Sequence, residues 1–262
     1  MLADYHLHTE SSDDSKITMI SYAKKAIESG FDEICFTDHT EYAMKSKIVR
    51  GETDYYGKYK ELLENFDGNL QVKFGAEFGI QRDNTVFYEK FFKKYPFDFI
   101  LLSCHTIGGL ELYDGAFQKG KTQKEYNEAY YDELLTVVKS FKNYSVLAHL
   151  DLIRRYDDTY YSLKQTYPFV SEILKQVIKD GKGIEINTSC FRYNIPDLTP
   201  SIDIIKLYKK LGGEIITIGS DSHSLSHFGY KILEVQSQLK ELGFKSFCTF
   251  EKMVPVYHDL AE

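Results

Sequence analysis

Seven short apolar runs alternate with seven amphipathic helical patterns from one end of the chain to the other, and that alternation leaves few folds open. The strand-like runs are Leu2–His8, Glu33–His39, Leu70–Gly79, Phe97–His105, Tyr144–Leu150, Gly183–Asn187 and Glu214–Asp221. The helical patterns are Ile17–Ser29, Asp54–Phe66, Thr85–Lys94, Thr122–Lys142, Pro168–Asp180, Ser201–Leu211 and Tyr230–Leu242. In the first of these, Ile17, Ile20, Ala23 and Ile27 recur at helical spacing while Lys24, Lys25 and Glu28 face out, and Gly30 supplies a stop. Strand and helix in alternation imply a parallel sheet. Returns from helix to strand are short, as at Gly30-Phe31-Asp32 and Gly212-Gly213, whereas the loops after strands are long: Thr106–Lys121, Asp151–Tyr167 and Thr188–Pro200. That asymmetry predicts a barrel whose functional face lies at the C-terminal ends of its strands. No repeat, low-complexity tract or linker interrupts the pattern, so the expectation is one α/β barrel domain over 1–262, with Phe247–Val256 an extra, unassigned segment.

Charge and composition narrow the function. The net charge is −7 with no lysine or arginine block, which argues against nucleic acid or a membrane surface as the main partner. No apolar stretch approaches the roughly 18 residues of a membrane span, and Met1 runs almost directly into a histidine motif, so no signal peptide is expected. Cys35, Cys104, Cys190 and Cys248 are scattered without a CxxC pair, as small buried hydrophobes of a cytoplasmic protein would be.

The chemistry is carried by residues at the strand ends. In His6-Leu7-His8 two imidazoles point to the same side of a strand. Asp38-His39 ends the second run, Glu77 the third, His105 the fourth and His149 the fifth, and Asp221 and His223 follow the seventh. A closed parallel barrel brings all of them to one mouth. Taken alone, His39, His105 or His149 is more often a hydrogen-bonded structural histidine, whereas the paired motifs His6/His8 and Asp221/His223 favour ligands. A carboxylate such as Glu77 inside an apolar strand end, however, is costly unless paired or metal-bound. Imidazole and carboxylate without thiolate suit zinc, manganese or iron. Two such ions about 3.5–4 Å apart clamp the attacking and leaving oxygens of a phosphoryl transfer and activate a water near neutral pH. The chain has neither a Walker loop nor a cysteine phosphatase loop, so a metal-dependent hydrolase is the reading the residues favour.

The segments Asp4–Thr9, Ile34–Thr40, Gly75–Gly79, Ser103–Thr106, His149–Arg155, Glu185–Arg192 and Gly219–His223 together resemble the polymerase and histidinol phosphatase (PHP) family, in its histidinol-phosphatase branch. The resemblance implies a distorted (β/α)7 TIM-like barrel with its metal site at the C-terminal face of the strands. It also implies hydrolysis of L-histidinol phosphate to L-histidinol and phosphate, a step of histidine biosynthesis, with two or three divalent ions (Zn, Mn or Fe). On that resemblance His6, His8, Glu77 and Asp221 hold one ion, and Glu77 bridges to a second that His105 and His149 complete. His39 and His223 hold a third, with Asp14 standing where the family usually has a histidine, a change that favours a harder ion. Glu77 and Asp221 then count as catalytic through the metals.

A phosphate ester calls for arginine beside the ions; Arg192 is the first choice, Arg154 the second, and Arg155 is read as a surface residue. His227 is read either as a contact of the phosphate or proton donor to the leaving oxygen, or equally as a surface histidine at a helix start, and His258 is structural. Tyr113, Tyr156, Tyr160, Tyr161 and Phe191 are candidates to stack on the substrate imidazole, and Glu111 or Asp151 to pair with its amine. Two other readings stay open: a phosphoesterase of the same family acting on phosphotyrosine or nucleotides, and a non-catalytic metal-binding protein, which would show broken ligand motifs. The oligomeric state is not legible in the sequence.

Overall fold

The architecture is that of a computed structural model, which describes all residues except 44–47, 51–53, 158, 160, 194, 196 and 261–262; Tyr160 therefore lies outside the described residues. The strands are β1 (Ala3–Leu7), β2 (Glu33–Phe36), β3 (His39–Ala43), β4 (Ile48–Arg50), β5 (Gln71–Gly79), β6 (Phe99–Ser103), β7 (Thr106–Ile107), β8 (Leu110–Glu111), β9 (Val146–Leu147), β10 (Gly183–Asn187), β11 (Ile216–Gly219), β12 (Ser246–Glu251) and β13 (Val254–Asp259). The α-helices are α1 (Met19–Glu28), α2 (Tyr55–Asn65), α3 (Thr85–Phe92), α4 (Gln123–Ser140), α5 (Leu163–Lys179), α6 (Ile202–Lys210) and α7 (Ile232–Glu241).

Seven strands pair in parallel in the order β1-β2-β5-β6-β9-β10-β11. Strands β1, β6 and β10 are buried along their whole length; β6 reads as a near-continuous apolar run, while β1 and β10 also carry buried polar residues, among them His6 and Glu185. The sheet curls until its two edge strands meet. Beyond β11, Ser222 pairs with Leu7 as an isolated parallel bridge, in which the His8 N–H donates to the Ser222 carbonyl at 2.9 Å and the Ser222 N–H to the His6 carbonyl at 3.2 Å. The Tyr22 hydroxyl donates to the same Ser222 carbonyl at 2.8 Å, and Asp4 Oδ1 accepts from the Ser220 N–H at 2.8 Å. The result is a nearly closed, distorted seven-stranded α/β barrel.

Three elements differ from the sequence expectation. The run Glu33–His39 is not one strand: β2 pairs with Gln71–Phe74 and β3 with Glu77–Gly79 of the same long β5, and the chain breaks at Thr37-Asp38. The break frees the Asp38 carboxylate to accept from the Thr9 N–H, the Thr9 hydroxyl and the Ser12 hydroxyl. Helix α5 begins at Leu163 rather than Pro168, because Gln165 Oε1 accepts from the Ser162 N–H at 3.0 Å and caps the earlier turn. Pro168 then sits inside the helix, where its ring gives up one backbone bond.

The unassigned segment Phe247–Val256 is an antiparallel hairpin, β12–β13, turning at Lys252 and Met253, both with positive φ as a type I′ turn requires. It covers the N-terminal ends of the barrel strands. Lys252 N–H donates to Asp98 Oδ1 at 3.0 Å and Met253 N–H to the Asp98 carbonyl at 2.8 Å, just ahead of β6. Tyr5 fastens the hairpin from inside: its hydroxyl donates to Glu33 and accepts from the Phe250 N–H at 2.8 Å. Replacing Tyr5 with Phe leaves two buried polar groups without this partner and should destabilise the fold by about 1–3 kcal/mol. A urea titration showing no loss of stability in the variant would contradict this role for the hydroxyl.

Candidate metal centre

Glu77 lies near the end of β5 with 1% of its surface exposed, in a strand otherwise apolar at that point. Five imidazoles converge on it. Its Oε2 lies 2.9 Å from His39 Nδ1, 3.4 Å from His6 Nε2 and 3.5 Å from His8 Nε2; its Oε1 lies 2.9 Å from His149 Nε2 and 3.3 Å from His105 Nε2. Asp221, on the loop after β11, completes one side, with Oδ1 3.4 Å from His8 Nε2 and 3.7 Å from His6 Nε2. Asp14, in the loop after β1, places Oδ2 3.1 Å from His223 Nε2 and 3.6 Å from His39 Nε2. All the ligands expected from the sequence therefore face one mouth, at the C-terminal ends of the barrel strands. Within it His6, His8 and Glu77, then His39, Glu77 and His105, then His8, His39 and His223 form overlapping groups whose ligand atoms lie within 4.8 Å of one another.

Nε2 of His6, His8 and His223 and Oε2 of Glu77 are buried without a hydrogen-bond partner among the described residues. Buried polar atoms are almost always paired, and lone pairs of imidazole and carboxylate aimed at common points are what a divalent ion takes. The donor set fits metal ions. The electrostatics agree: burial alone would raise the Glu77 carboxyl, yet the imidazoles of His105, His6 and His39 hold it well below the usual range. Burial likewise opposes ionisation of Asp221, and His6, His8 and His223 pull it well down.

At His6, His8, His105 and His223 the second ring nitrogen is occupied, which fixes the tautomer. His6 Nδ1 is 2.5 Å from Glu185 Oε1, His105 Nδ1 2.6 Å from Glu41 Oε1, and His223 Nδ1 3.0 Å from the Asp221 carbonyl. His8 Nδ1 is 3.2 Å from the Ser12 hydroxyl, which donates to Asp38. Glu185 and Glu41 were not singled out from the sequence. The signal for Glu185 was present: in Gly183-Ile184-Glu185-Ile186-Asn187 a carboxylate stands in an apolar strand, the same argument that picks out Glu77. Both carboxylates lie over a glycine. A Cβ on Gly219 would come within 2.5 Å of Glu185 Oε1, and one on Gly79 within 1.9 Å of Glu41 Oε2.

The arginines sort by contact. The Arg154 guanidinium pairs with Asp151 Oδ2 at 2.7 Å and donates to the Leu198 carbonyl, so Asp151 too is committed to structure. Arg192 donates to the Ser220 and Asp221 carbonyls at 2.8 and 2.9 Å and fastens the loop that carries Asp221. Arg155, read from the sequence as a surface residue, is the one whose side chain reaches the mouth. Its Nη2 lies 3.7 Å from Asp221 Oδ2 and 2.7 Å from the Ser189 hydroxyl, its Nε is buried without a hydrogen-bond partner among the described residues, and its Cζ lies 4.0 Å from the centre of the Tyr193 ring. His227 is half-buried; burial and the nearby Arg192 and His223 lower its pKa. His258 is at the other end of the barrel, its Nε2 2.8 Å from the Thr249 hydroxyl. His149 and Asp221 both adopt positive φ, 24° and 54°, the kind of local strain that gathers at functional sites.

The PHP domain family model matches residues 4–189. The chain belongs to the PHP family. The match stops ahead of β11, so Asp221 and His223 come from the part of this PHP barrel beyond the matched stretch. The chain is 32% identical to the histidinol-phosphatase of Lactococcus lactis, over 95% of this chain and 94% of that one. It is 31% identical to the “Probable histidinol-phosphatase” of Clostridium acetobutylicum, over 98% and 100%. A crystal structure of the Lactococcus lactis histidinol phosphate phosphatase, complexed with zinc, L-histidinol and phosphate, superimposes with a TM-score of 0.87, covering 97% of this chain and 98% of that one at 31% identity. No described helix is long and apolar enough to cross a membrane.

Zinc added to chelator-stripped protein should raise its stability, by about 2.7 kcal/mol for a site exposed to a hundredfold excess over its Kd. Glu77→Ala should remove most of that response. An equal thermal shift with zinc in wild type and variant would show that Glu77 is not at the centre of the metal site.

Proposed function

We propose that this chain is a metal-dependent phosphomonoesterase that hydrolyses L-histidinol phosphate to L-histidinol and phosphate. The observation that carries the reading is its likeness, over nearly the whole length of both chains, to a structure that holds zinc, L-histidinol and phosphate together. In this reading His6, His8, Glu77 and Asp221 hold one ion, Glu77, His105 and His149 a second, and His39, His223 and Asp14 have the donors for a third. Zinc is the first ion to test, with manganese and iron compatible with the same nitrogen and oxygen donors. When bound, such ions polarise phosphate oxygens and lower the pKa of a coordinated water.

The chain's own residues do the rest. Arg155 has a fork of N–H donors at the mouth, one of them buried without a hydrogen-bond partner among the described residues, and is placed to pair with a phosphate dianion. The stacked Tyr193 ring and Ser189 hydroxyl hold that fork in place. Arg192 and Arg154 act at one remove, by fixing the Asp221 loop and the turn that carries Arg155. His227, whose pKa is lowered by burial and by the nearby Arg192 and His223, is assigned a hydrogen-bonding contact with the ester. In the overall step a water oxygen bonds to phosphorus, the ester P–O bond breaks, and the histidinol oxygen takes a proton.

The test is phosphate release from L-histidinol phosphate, with and without chelator, against a generic aryl phosphate. Fast, chelator-sensitive release selective for histidinol phosphate is expected; equal rates on both esters would remove the substrate assignment. Arg155→Ala should raise KM or lower kcat/KM by about 10–200-fold, in line with the loss of one charge-assisted contact worth about 1.5–3 kcal/mol. Metal content should stay unchanged, and wild-type kinetics in this variant would return the phosphate contact to another arginine. His227→Asn should raise KM with little change in metal content, and an unaltered KM would remove His227 from the substrate site.

A further inference from the structure

Glu185 is fully buried on β10 between Ile184 and Ile186, and it spends its two oxygens on two different strands. Oε1 lies 2.5 Å from Nδ1 of His6 on β1. Oε2 accepts the backbone N–H of His149, beyond β9, at 2.9 Å, and the Asn187 side-chain amide at 3.2 Å. The Asn187 amide also lies 3.4 Å from His6 Nδ1 and from Asp221 Oδ2. The His149 N–H belongs to a residue held at φ 24°, a conformation that persists only where its surroundings impose it. Gly219 leaves the space that the pair needs, since a Cβ there would come within 2.4 Å of His6 Cβ as well as touching Glu185.

We propose that Glu185 is a positioning residue that couples two metal sites, fixing His6 for one ion with one oxygen and His149 for the other ion with the second. The inference rests on the reading of His6 and His149 as metal ligands and goes beyond it by tying the two sites to one carboxylate. By accepting from Nδ1–H, Oε1 keeps His6 in the tautomer whose Nε2 is bare. By accepting the His149 N–H, Oε2 holds the backbone turn that aims His149 Nε2 at Glu77. Both jobs need an acceptor, and a carboxylate offers two. A glutamine offers one: satisfying either ligand sets its amide N–H₂ against the other. Glu41 differs, because a single oxygen orients His105, and glutamine can still supply that acceptor.

The experiment is zinc titration of chelator-stripped protein against a competing chromophoric chelator, for wild type, Glu185→Gln and Glu41→Gln. Glu185→Gln should weaken both tight sites, each by about 10–100-fold, the range found when the partner of a metal-bound histidine is lost. Glu41→Gln should weaken one site at most. Wild-type affinity in Glu185→Gln, or weakening confined to one ion, overturns the coupling while leaving the metal assignment intact. A wild-type protein that takes up no zinc overturns both. Should Glu185→Gln not fold, imidazole ¹⁵N spectra of the zinc-loaded wild type decide the matter. His6 protonated at Nδ1 and bound through Nε2 supports the proposal, and His6 bound through Nδ1 overturns it.

Discussion

A single carboxylate buried against five imidazoles is the constraint around which this molecule is arranged. Taking an ion such as Glu77 out of water costs several kcal/mol even after relaxation, and only close, well-aimed partners offset it. Those partners sit on different strands, so no local segment can supply them: His6 and His8 from β1, His39 from β3, His105 and His149 from the ends of β6 and β9. A parallel barrel is the arrangement that brings so many strand ends within a few ångströms of one atom pair. The fold and the site are therefore one solution to one electrostatic problem.

What the sequence revealed followed the same logic. A histidine or carboxylate at the end of an apolar run is legible because strand direction alone decides where it points, and parallel strands all point the same way. That is why the candidate ligands from His6 to His223, which the fold gathers at one mouth, are legible together with the seven strands and their helices. The misses occur where direction is set by something other than strand geometry. Arg154 and Arg155 lie in a short 3₁₀ turn, Leu152–Tyr156, where successive side chains diverge by about 120°. Which of the two enters the mouth is fixed by Asp151 capturing Arg154, a contact between turn residues that no periodicity announces. The break between β2 and β3 was hidden for a related reason, since Asp38 leaves the ladder to bind Thr9 and Ser12 across the mouth. The hairpin β12–β13 lacked a sequence signature because its turn uses Lys252 and Met253 in place of the usual glycine or asparagine.

The residues behind the ligands carry a second lesson. Glu185 and Glu41 face glycines, Gly219 and Gly79, at the ends of neighbouring strands, so the absence of a side chain there is as specific as the carboxylate that fills the space. A glycine in a barrel strand weakens local β structure. Its presence at these two points marks close approach rather than flexibility, and neither φ is positive. Sequence patterning treats such a glycine as a defect, whereas the packing shows it to be the other half of a contact.

The bridge between Leu7 and Ser222 joins strand segments from opposite ends of the barrel sequence, with Asp221 and His223 on either side of it. His6 and His8 lie at the end of the first barrel strand, yet the donors that they face across the seam follow the last one. Until the ring closes, the donor set around these two histidines is incomplete. Ring closure and the candidate metal centre are thus completed by the same contact, so a substitution that opens the seam would disperse the donors as well as loosen the barrel.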